Sequence, residues 1–589
     1  MDLQEGAPPY APDSSPPKTA DCGVLRDPLY GGLTDFSFAP VTPPSENTMD
    51  DILTRIIEKR RDDIREKGFA YGHTIPASRT RPIVPFLPKA GTILEIKRAS
   101  PSKGLIAPDL DAKATAVAYK KAGTAAISCL TEENFFHGNL IDLQQACEGA
   151  GNAVAVLRKD FLLSEEEVEI AYLCGADAVL LIARILPEEM LVRMAEKAFS
   201  LGISVLLEVR EDSDIEKAFS ALKKAHRMSA DDKIVLGINS RDLKTFAIDL
   251  LIPLKLKAKI RKLFAEENAD CPFPRIISES GVTSPEAADF VGNLGFDGVL
   301  IGEAAAKNPE QATKLVKAFT NAAENAACSH DIQDSDTAAS GTMQKITGAY
   351  SFWKKLAIKL AEKDEKPLLK ICGITRKEDA LLAQELGADI IGFIFAEKSK
   401  RTNRAEDKEK IKGIRDALQA GAALSGRAMP LMVGVIVDSE SKVGKAAIEL
   451  CEQGILDGIQ FHGIPEKAQG KLGYAAIPVA DEKDLSKALE LFRNGFPRVL
   501  IDAKNTNAQN ASGDERYGGT GTTLPPELVE RARLRGVLWF SGGITPDNVS
   551  YLVKRFSPEL IDVSSGIESA PGIKDANKMK KLMTEIFYE

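Results

Sequence analysis

Short apolar runs separated by amphipathic stretches recur along most of the chain. From Met49 onward Ile52, Ile56, Ile57 and Ile64 fall at helix spacing beside the charged run Glu58 to Arg61, which predicts a helix ahead of the first strand. Then come Thr92–Ile96, Ala125–Cys129, Ala153–Leu157, Ala178–Ile182, Ile203–Leu207, Ile234–Ile238, Arg275–Ser278 and Gly298–Ile301, with helical text between them. Strands that are apolar on both faces belong in a parallel sheet covered by helices, and eight such units in a row predict closure into a (β/α)8 barrel. The rhythm stops after Phe319. Ser329–Gly341 is polar, and a helical segment of roughly Ala349–Lys363 follows. The alternation then resumes with Leu368–Ile371, Ile390–Phe395, Leu431–Val437, Gly458–Phe461, Ala475–Val479, Arg498–Ile501, Val537–Phe540 and Leu560–Val563, closer spaced than the first set. The expected fold is α/β, two tandem (β/α)8 TIM barrels. The expected divisions are a tail at 1–48, a barrel at 49–322, a polar and helical linker at 323–365 and a second barrel at 366–589.

Bulk properties narrow the function. A chain of 589 residues accommodates two barrels of about 250 residues each. Its 44% hydrophobic and 27% charged residues are those of a globular protein. The net charge of −9, with no Lys/Arg block, argues against a nucleic-acid partner, so any phosphate it binds belongs to a small molecule. The eight cysteines include no C-x-x-C pair, no metal-ligand spacing is present, and a reducing compartment, the cytoplasm, is expected. No apolar run is long enough for a membrane span, and the N-terminus lacks the charged-then-apolar pattern of a secretion signal. Residues 1–48 are rich in Pro, Ser, Asp and Gly and carry Asp2, Glu5, Asp13, Asp21, Asp27, Asp35 and Glu46 against Lys18 and Arg26, which reads as a disordered tail.

In a barrel of this type the chemistry sits at the carboxyl ends of the strands. Glu95 and Lys97 alternate along the first strand and face one side; Lys159 and Phe161 do so after the third, and Glu208 closes the fifth. Together they can converge on one pocket as an acid/base set, in which a lysine surrounded by glutamates stays charged while burial lowers its pKa toward the range where it donates a proton. Asn239 and Arg241 after the sixth strand are candidates for positioning a hydroxylated or anionic substrate. Ser278-Glu279-Ser280-Gly281 and Ile301-Gly302 put small residues where backbone N–H groups can approach a phosphate. In the second half Cys372 ends one strand and Asp502 another, a thiol and a carboxyl able to act as base and acid. A thiol working at neutral pH needs surroundings that favour thiolate, and Lys370 and Arg376 are the nearby cations. Gly518-Gly519-Thr520-Gly521, Ser541-Gly542-Gly543 and Ser564-Ser565-Gly566 form a stronger phosphate corner than the first half has. His462 reads as structural.

The first half resembles indole-3-glycerol-phosphate synthase over about residues 50–320. The motifs Glu95-Ile-Lys97-Arg-Ala-Ser100-Pro-Ser102, Leu157-Arg-Lys159-Asp-Phe161, Leu207-Glu208, Gly237-Ile-Asn239-Ser-Arg241-Asp-Leu243 and Ser278-Glu279-Ser280-Gly281 follow in that family's order. The resemblance implies ring closure of carboxyphenylaminodeoxyribulose phosphate with loss of carbon dioxide and water. Lys159 would be the general acid at the ketone, Glu208 and Glu95 would handle protons, and Lys97 would hold the leaving carboxylate. Ser100, Gly281 and Gly302 would belong to the phosphate and substrate pocket. The second half resembles phosphoribosylanthranilate isomerase over about residues 366–586. Its motifs are Lys370 to Thr375, Gly392-Phe-Ile-Phe395 with Ser399-Lys-Arg401, Gln460-Phe-His-Gly463, Leu500-Ile-Asp502, Gly518 to Gly521, Ser541-Gly-Gly-Ile544 and Asp562-Val-Ser-Ser-Gly566. This implies an Amadori rearrangement in which Asp502 protonates the ribose ring oxygen, Cys372 removes the C2 proton and Arg401 pairs with the anthranilate carboxylate. The sequence departs from that pattern with Thr-Thr-Leu-Pro-Pro after Gly521, where the family commonly carries Phe-Asp-Trp, and with Lys400 where many members have proline.

The two steps would be consecutive in tryptophan biosynthesis, in an order opposite to that of the domains, without metal or cofactor. A separate glutamine amidotransferase or anthranilate synthase could be a partner, since in some relatives such a domain precedes these two. The rival readings are a histidine-pathway sugar-phosphate isomerase or cyclase, disfavoured because that group resembles an Asp/Asp pair with aspartate where Cys372 stands, and an inactive phosphate-binding scaffold.

Overall fold

A computed structural model describes residues 50–587 except 242–247, 268–269, 308, 331–349, 364–365, 466–469, 494–495 and 505–522. The proposed tail, residues 331–341 of the polar stretch and Gly518 to Gly521 therefore lie outside the described residues.

Two closed eight-stranded parallel barrels are present, each with its strands in chain order. The first consists of β1 (Gly91–Ile96), β2 (Ala126–Leu130), β3 (Ala155–Lys159), β4 (Ala178–Ile182), β5 (Ser204–Val209), β6 (Ile234–Asn239), β7 (Arg275–Glu279) and β8 (Gly298–Ile301). The second consists of β9 (Leu368–Cys372), β10 (Ile390–Phe395), β11 (Leu431–Ile436), β12 (Gly458–His462), β13 (Gly473–Val479), β14 (Val499–Ala503), β15 (Trp539–Ser541) and β16 (Leu560–Val563). The strands match the apolar runs, but several continue past them into the candidate site residues. β3 reaches Lys159, β5 includes Glu208, β7 reaches Glu279, β9 reaches Cys372 and β14 includes Asp502. A barrel lumen accepts polar side chains at its carboxyl end, so the ladder outlasts the hydrophobic pattern there.

Helix Asp50–Lys67 is the one expected ahead of β1. Its Arg60 is buried against Asp160, at 2.5 Å, and Glu167, at 2.6 Å, which anchors the helix beside the end of β3. The rhythm was expected to stop after Phe319, but helix Pro309–His330 continues through that point. Phe319, Ala322, Ala323 and Ala326 are buried along it, so its apolar face still packs on the barrel.

Helix Ser351–Lys363 does more than bridge. Phe352, Trp353, Leu356, Ala357 and Leu360 are buried in an apolar cluster shared with Leu368, Ile390, Leu431 and Leu560 at the starts of second-barrel strands. Phe352 stacks on Tyr474 at 5.6 Å, and Trp353 Nε1 donates to the Gly470 carbonyl at 3.0 Å. Gly458 leaves the space that Phe352 fills, since a Cβ there would stand 2.6 Å from its ring. The helix thus plugs the amino end of the second barrel and leaves the carboxyl end for chemistry.

Candidate active sites

Strand register brings the first barrel's charged residues to one level. Glu208 on β5 pairs with Gly237 on β6, and Asn239 pairs with Glu279 on β7. Glu95, Lys97, Ser100, Lys159, Phe161, Glu208, Asn239, Arg241, Glu279, Ser280, Gly281 and Gly302 all line a single cavity of about 740 Å³. Lys159 Nζ lies 3.3 Å from Glu279 Oε2 and 3.6 Å from Glu208 Oε2. Lys97 Nζ donates to Glu95 Oε1 at 2.9 Å, and Asn239 Nδ2 donates to Glu208 Oε1 at 3.3 Å. Gly302 leaves room for the Glu95 carboxylate, since a Cβ would come within 2.6 Å of its Oε1. Ser280 and Gly281 both have positive φ, 68° and 85°, a turn that exposes backbone at the end of β7.

Of the two opposing effects expected on Lys159, the neighbouring carboxylates prevail over burial. Burial pulls its pKa down, but Glu279, Glu208 and Glu95 outweigh that and raise it above the ordinary lysine value. Lys159 therefore rests as an ammonium. The group moved toward neutrality is Glu279, pushed up to about 7 by burial against the pull of Lys159. Glu95 is held low despite burial by Lys97 and Lys159. Glu95 Oε2 and Glu279 Oε1 are buried with no hydrogen-bond donor among the described residues, which leaves both acceptors to a ligand.

Asp160 was not singled out from the sequence. It accepts from Arg60 and Thr131, both at 2.5 Å, and from Arg158 at 3.2 Å, which fixes the backbone next to Lys159. Arg60 lies on a different element a hundred positions away, so no local pattern announces this contact.

In the second barrel Cys372 and Asp502 are both buried at strand ends, and both interact electrostatically with Lys370 and Asp562. Lys370, two residues before Cys372 and on the same side of β9, donates to Asp562 Oδ2 at 2.5 Å and to Gln460 Oε1 at 2.6 Å. Arg376 instead pairs with Asp379. The expected thiolate-favouring balance is not met: burial pushes the Cys372 thiol up, against the opposing charge of Lys370. Asp502 is raised by burial, with His462 pulling the other way, while burial lowers His462. The ring read as structural therefore sits at the end of β12 within the field of Asp502.

Arg401 donates through Nε and Nη2 to Glu568, at 2.9 and 2.7 Å. Lys574 holds the same carboxylate at 3.0 Å and donates to the Cys372 carbonyl at 2.6 Å. Glu568 and Lys574 were not singled out from the sequence. Gly542, Gly543, Ser565 and Gly566 follow β15 and β16 side by side. Gly542 has φ 98° and a Cβ there would lie 2.3 Å from that of Ala503, while at Gly566 it would lie 2.0 Å from the Ile544 carbonyl oxygen. Neighbouring backbones therefore approach closely at this corner, as a phosphate cradle of N–H groups requires.

A family model described as indole-3-glycerol phosphate synthase matches residues 82–318, and one described as N-(5'phosphoribosyl)anthranilate (PRA) isomerase matches residues 369–585. An indole-3-glycerol phosphate synthase of Geobacillus thermodenitrificans is 33% identical over 272 residues, which are 46% of this chain and 96% of that protein. A tryptophan biosynthesis protein TrpCF of Vibrio parahaemolyticus is 28% identical, covering 93% of this chain and 98% of that one. A multifunctional tryptophan biosynthesis protein of Phanerodontia chrysosporium is also 28% identical over 84% of this chain, which spans 62% of the length of that relative. Among the described residues no helix is long and apolar enough to cross a membrane.

Proposed function

Because the chain belongs to the indole-3-glycerol phosphate synthase family through residues 82–318 and to the phosphoribosylanthranilate isomerase family through residues 369–585, its two barrels are domains of tryptophan biosynthesis, and we propose the following chemistry for them. The second barrel isomerises N-(5-phosphoribosyl)anthranilate. Asp502 protonates the ribose ring oxygen as the C1–O bond breaks, a step supported by the burial that keeps its carboxyl protonated more readily than usual. The open-chain Schiff base loses its C2 proton to Cys372, and the resulting enolamine tautomerises to carboxyphenylaminodeoxyribulose phosphate. Lys370 faces the sulfur and favours its thiolate, the form that takes this proton. Arg401, oriented by Glu568, receives the anthranilate carboxylate, and Gly519, Gly542, Gly543, Ser565 and Gly566 hold the phosphate.

The first barrel takes that product. Lys159 stabilises negative charge developing on the ketone oxygen and donates the proton there, while the aromatic carbon that bears the carboxylate forms the new C–C bond. Lys97 holds the carboxylate until it leaves as carbon dioxide, and Glu208 and Glu95 move the protons that accompany loss of water. Glu279, poised near neutrality, joins them as a proton carrier. Ser100, Phe161, Asn239, Arg241, Ser280, Gly281 and Gly302 position the substrate and its phosphate. The observation that carries this reading is Lys159 set between Glu208 and Glu279 in one cavity.

The free, unpaired thiols Cys129, Cys147, Cys174, Cys271, Cys372 and Cys451 support a cytoplasmic location. An anthranilate synthase with its glutamine amidotransferase is the proposed partner, because anthranilate must be supplied upstream. The test is turnover of phosphoribosylanthranilate by the full chain, followed by indole fluorescence. Cys372→Ala is expected to stop the first step and Lys159→Ala the second, each by about 10²–10⁴-fold. Retention of either step in its own variant rejects that assignment.

A further inference from the structure

The cavity of the first barrel is not built by the first barrel alone. Phe496 and Pro497, which precede β14 of the second barrel, line it. The next residue, Arg498, is buried and forks onto Asp249 of the first barrel, with Nη1 to Oδ1 at 2.7 Å and Nη2 to Oδ2 at 2.9 Å. On its other side it holds Glu559 at 2.5 and 2.8 Å, and Glu559 also accepts from Trp539 Nε1 at 2.6 Å. Asp249 is flanked by Ile248 and Leu250, both of which line the same cavity. These two press on the turn after β7: a Cβ on Gly281 would stand 2.6 Å from Ile248 Cγ2 and 2.8 Å from Leu250 Cδ2. Ser240 Oγ lies against the same point, buried and without a hydrogen-bond partner among the described residues.

We propose that the second barrel completes the substrate site of the first: Phe496 and Pro497 form part of its wall, and Arg498 and Asp249 are positioning residues that hold Ile248 and Leu250 against the phosphate-binding turn at Ser280-Gly281. The bidentate fork fixes both distance and orientation, which a single contact would not. Held in this way, the turn keeps its N–H groups aimed at an anionic ligand of the sugar-phosphate class. The side-chain partners of Arg498 among the described residues are Asp249, Glu559 and the Pro497 carbonyl, outside the Lys159 cluster, so the effect falls on binding and not on the chemical step. The inference rests on the reading of the first barrel as a site for a phosphorylated substrate.

The test uses the full chain. Asp249→Asn removes the charge and one of the two acceptors while keeping the side-chain size, and Phe496→Ala removes the wall without touching the fork. Both are expected to raise the KM of ring closure about fivefold to tenfold with kcat changed less than twofold, and to weaken binding of inorganic phosphate, read by calorimetry, by a similar factor. Asp249→Glu should recover part of the loss, and the constants of the isomerase step should not move. Unchanged KM and phosphate affinity in both variants, or a lowered thermal midpoint with kinetics intact, overturns the proposal. If the wild-type chain does not close the ring at all, the underlying reading fails instead; phosphate affinity in the variants then still decides whether the second barrel shapes the site.

Discussion

Glu279 and Lys159 lie 3.3 Å apart, yet burial acts on them with opposite outcomes. The ammonium has three carboxylates to keep it charged, whereas Glu279 shares its single lysine with Glu208 and Glu95 and moves from its ordinary 4.5 to about 7. Because the native value is the higher one, the folded state binds this proton more tightly than the unfolded chain. Its contribution to stability is complete below about pH 4.5 and is lost as the pH rises through about 7. Glu279→Gln, which is neutral throughout, should therefore gain stability over wild type between pH 5 and pH 8 by up to about 3 kcal/mol. Urea unfolding of the first-barrel transition at those two pH values measures it, and a constant difference between variant and wild type refutes the shift. The same reasoning gives ring closure a pH profile with an inflection near neutrality that Glu279→Gln removes. These directions could not be taken from the sequence. Glu95, Lys97, Lys159 and Glu208 were legible because they end strands, but whether burial or the neighbouring charges prevail depends on distances between residues far apart in the chain.

At the level of strands and turns, the hydrophobic pattern located all sixteen barrel strands because each is apolar on both faces, and it stopped short where the lumen turns polar. Lys159, Glu208, Glu279, Cys372 and Asp502 all lie in that last residue or two, so the pattern ends where function begins. The glycine corners were legible as sequence motifs, though not as geometry. Gly542→Ala must place a methyl 2.3 Å from the Cβ of Ala503 at φ 98°, so it is expected to destabilise the second barrel by about 1–3 kcal/mol and to raise the KM for phosphoribosylanthranilate more than it lowers kcat. Thermal unfolding and steady-state kinetics on the same sample check both. Helix Ser351–Lys363 was visible as a helix but not as the stopper of a barrel, because its partners Tyr474 and Gly458 are more than a hundred positions away. Trp353→Ala should cost about 3–5 kcal/mol, seen in the second-barrel unfolding transition.

For the molecule as a whole, two barrels, each with its own cluster of buried titratable groups at the strand ends, share an apolar cluster and the Arg498–Asp249 fork. Nothing in local sequence announces that fork, since its residues lie 249 positions apart. What the sequence did carry was the independence of the two chemistries, with Lys159 in one barrel and Cys372 in the other. The most direct measurement supplies phosphoribosylanthranilate to Cys372→Ala chains, to Lys159→Ala chains and to an equal mixture of the two. The Lys159→Ala chain should accumulate carboxyphenylaminodeoxyribulose phosphate, the Cys372→Ala chain should leave the substrate unchanged, and the mixture should restore indole fluorescence after a lag. Indole formed by either variant alone at the wild-type rate, or a mixture that stays dark, contradicts two independent active sites on one chain.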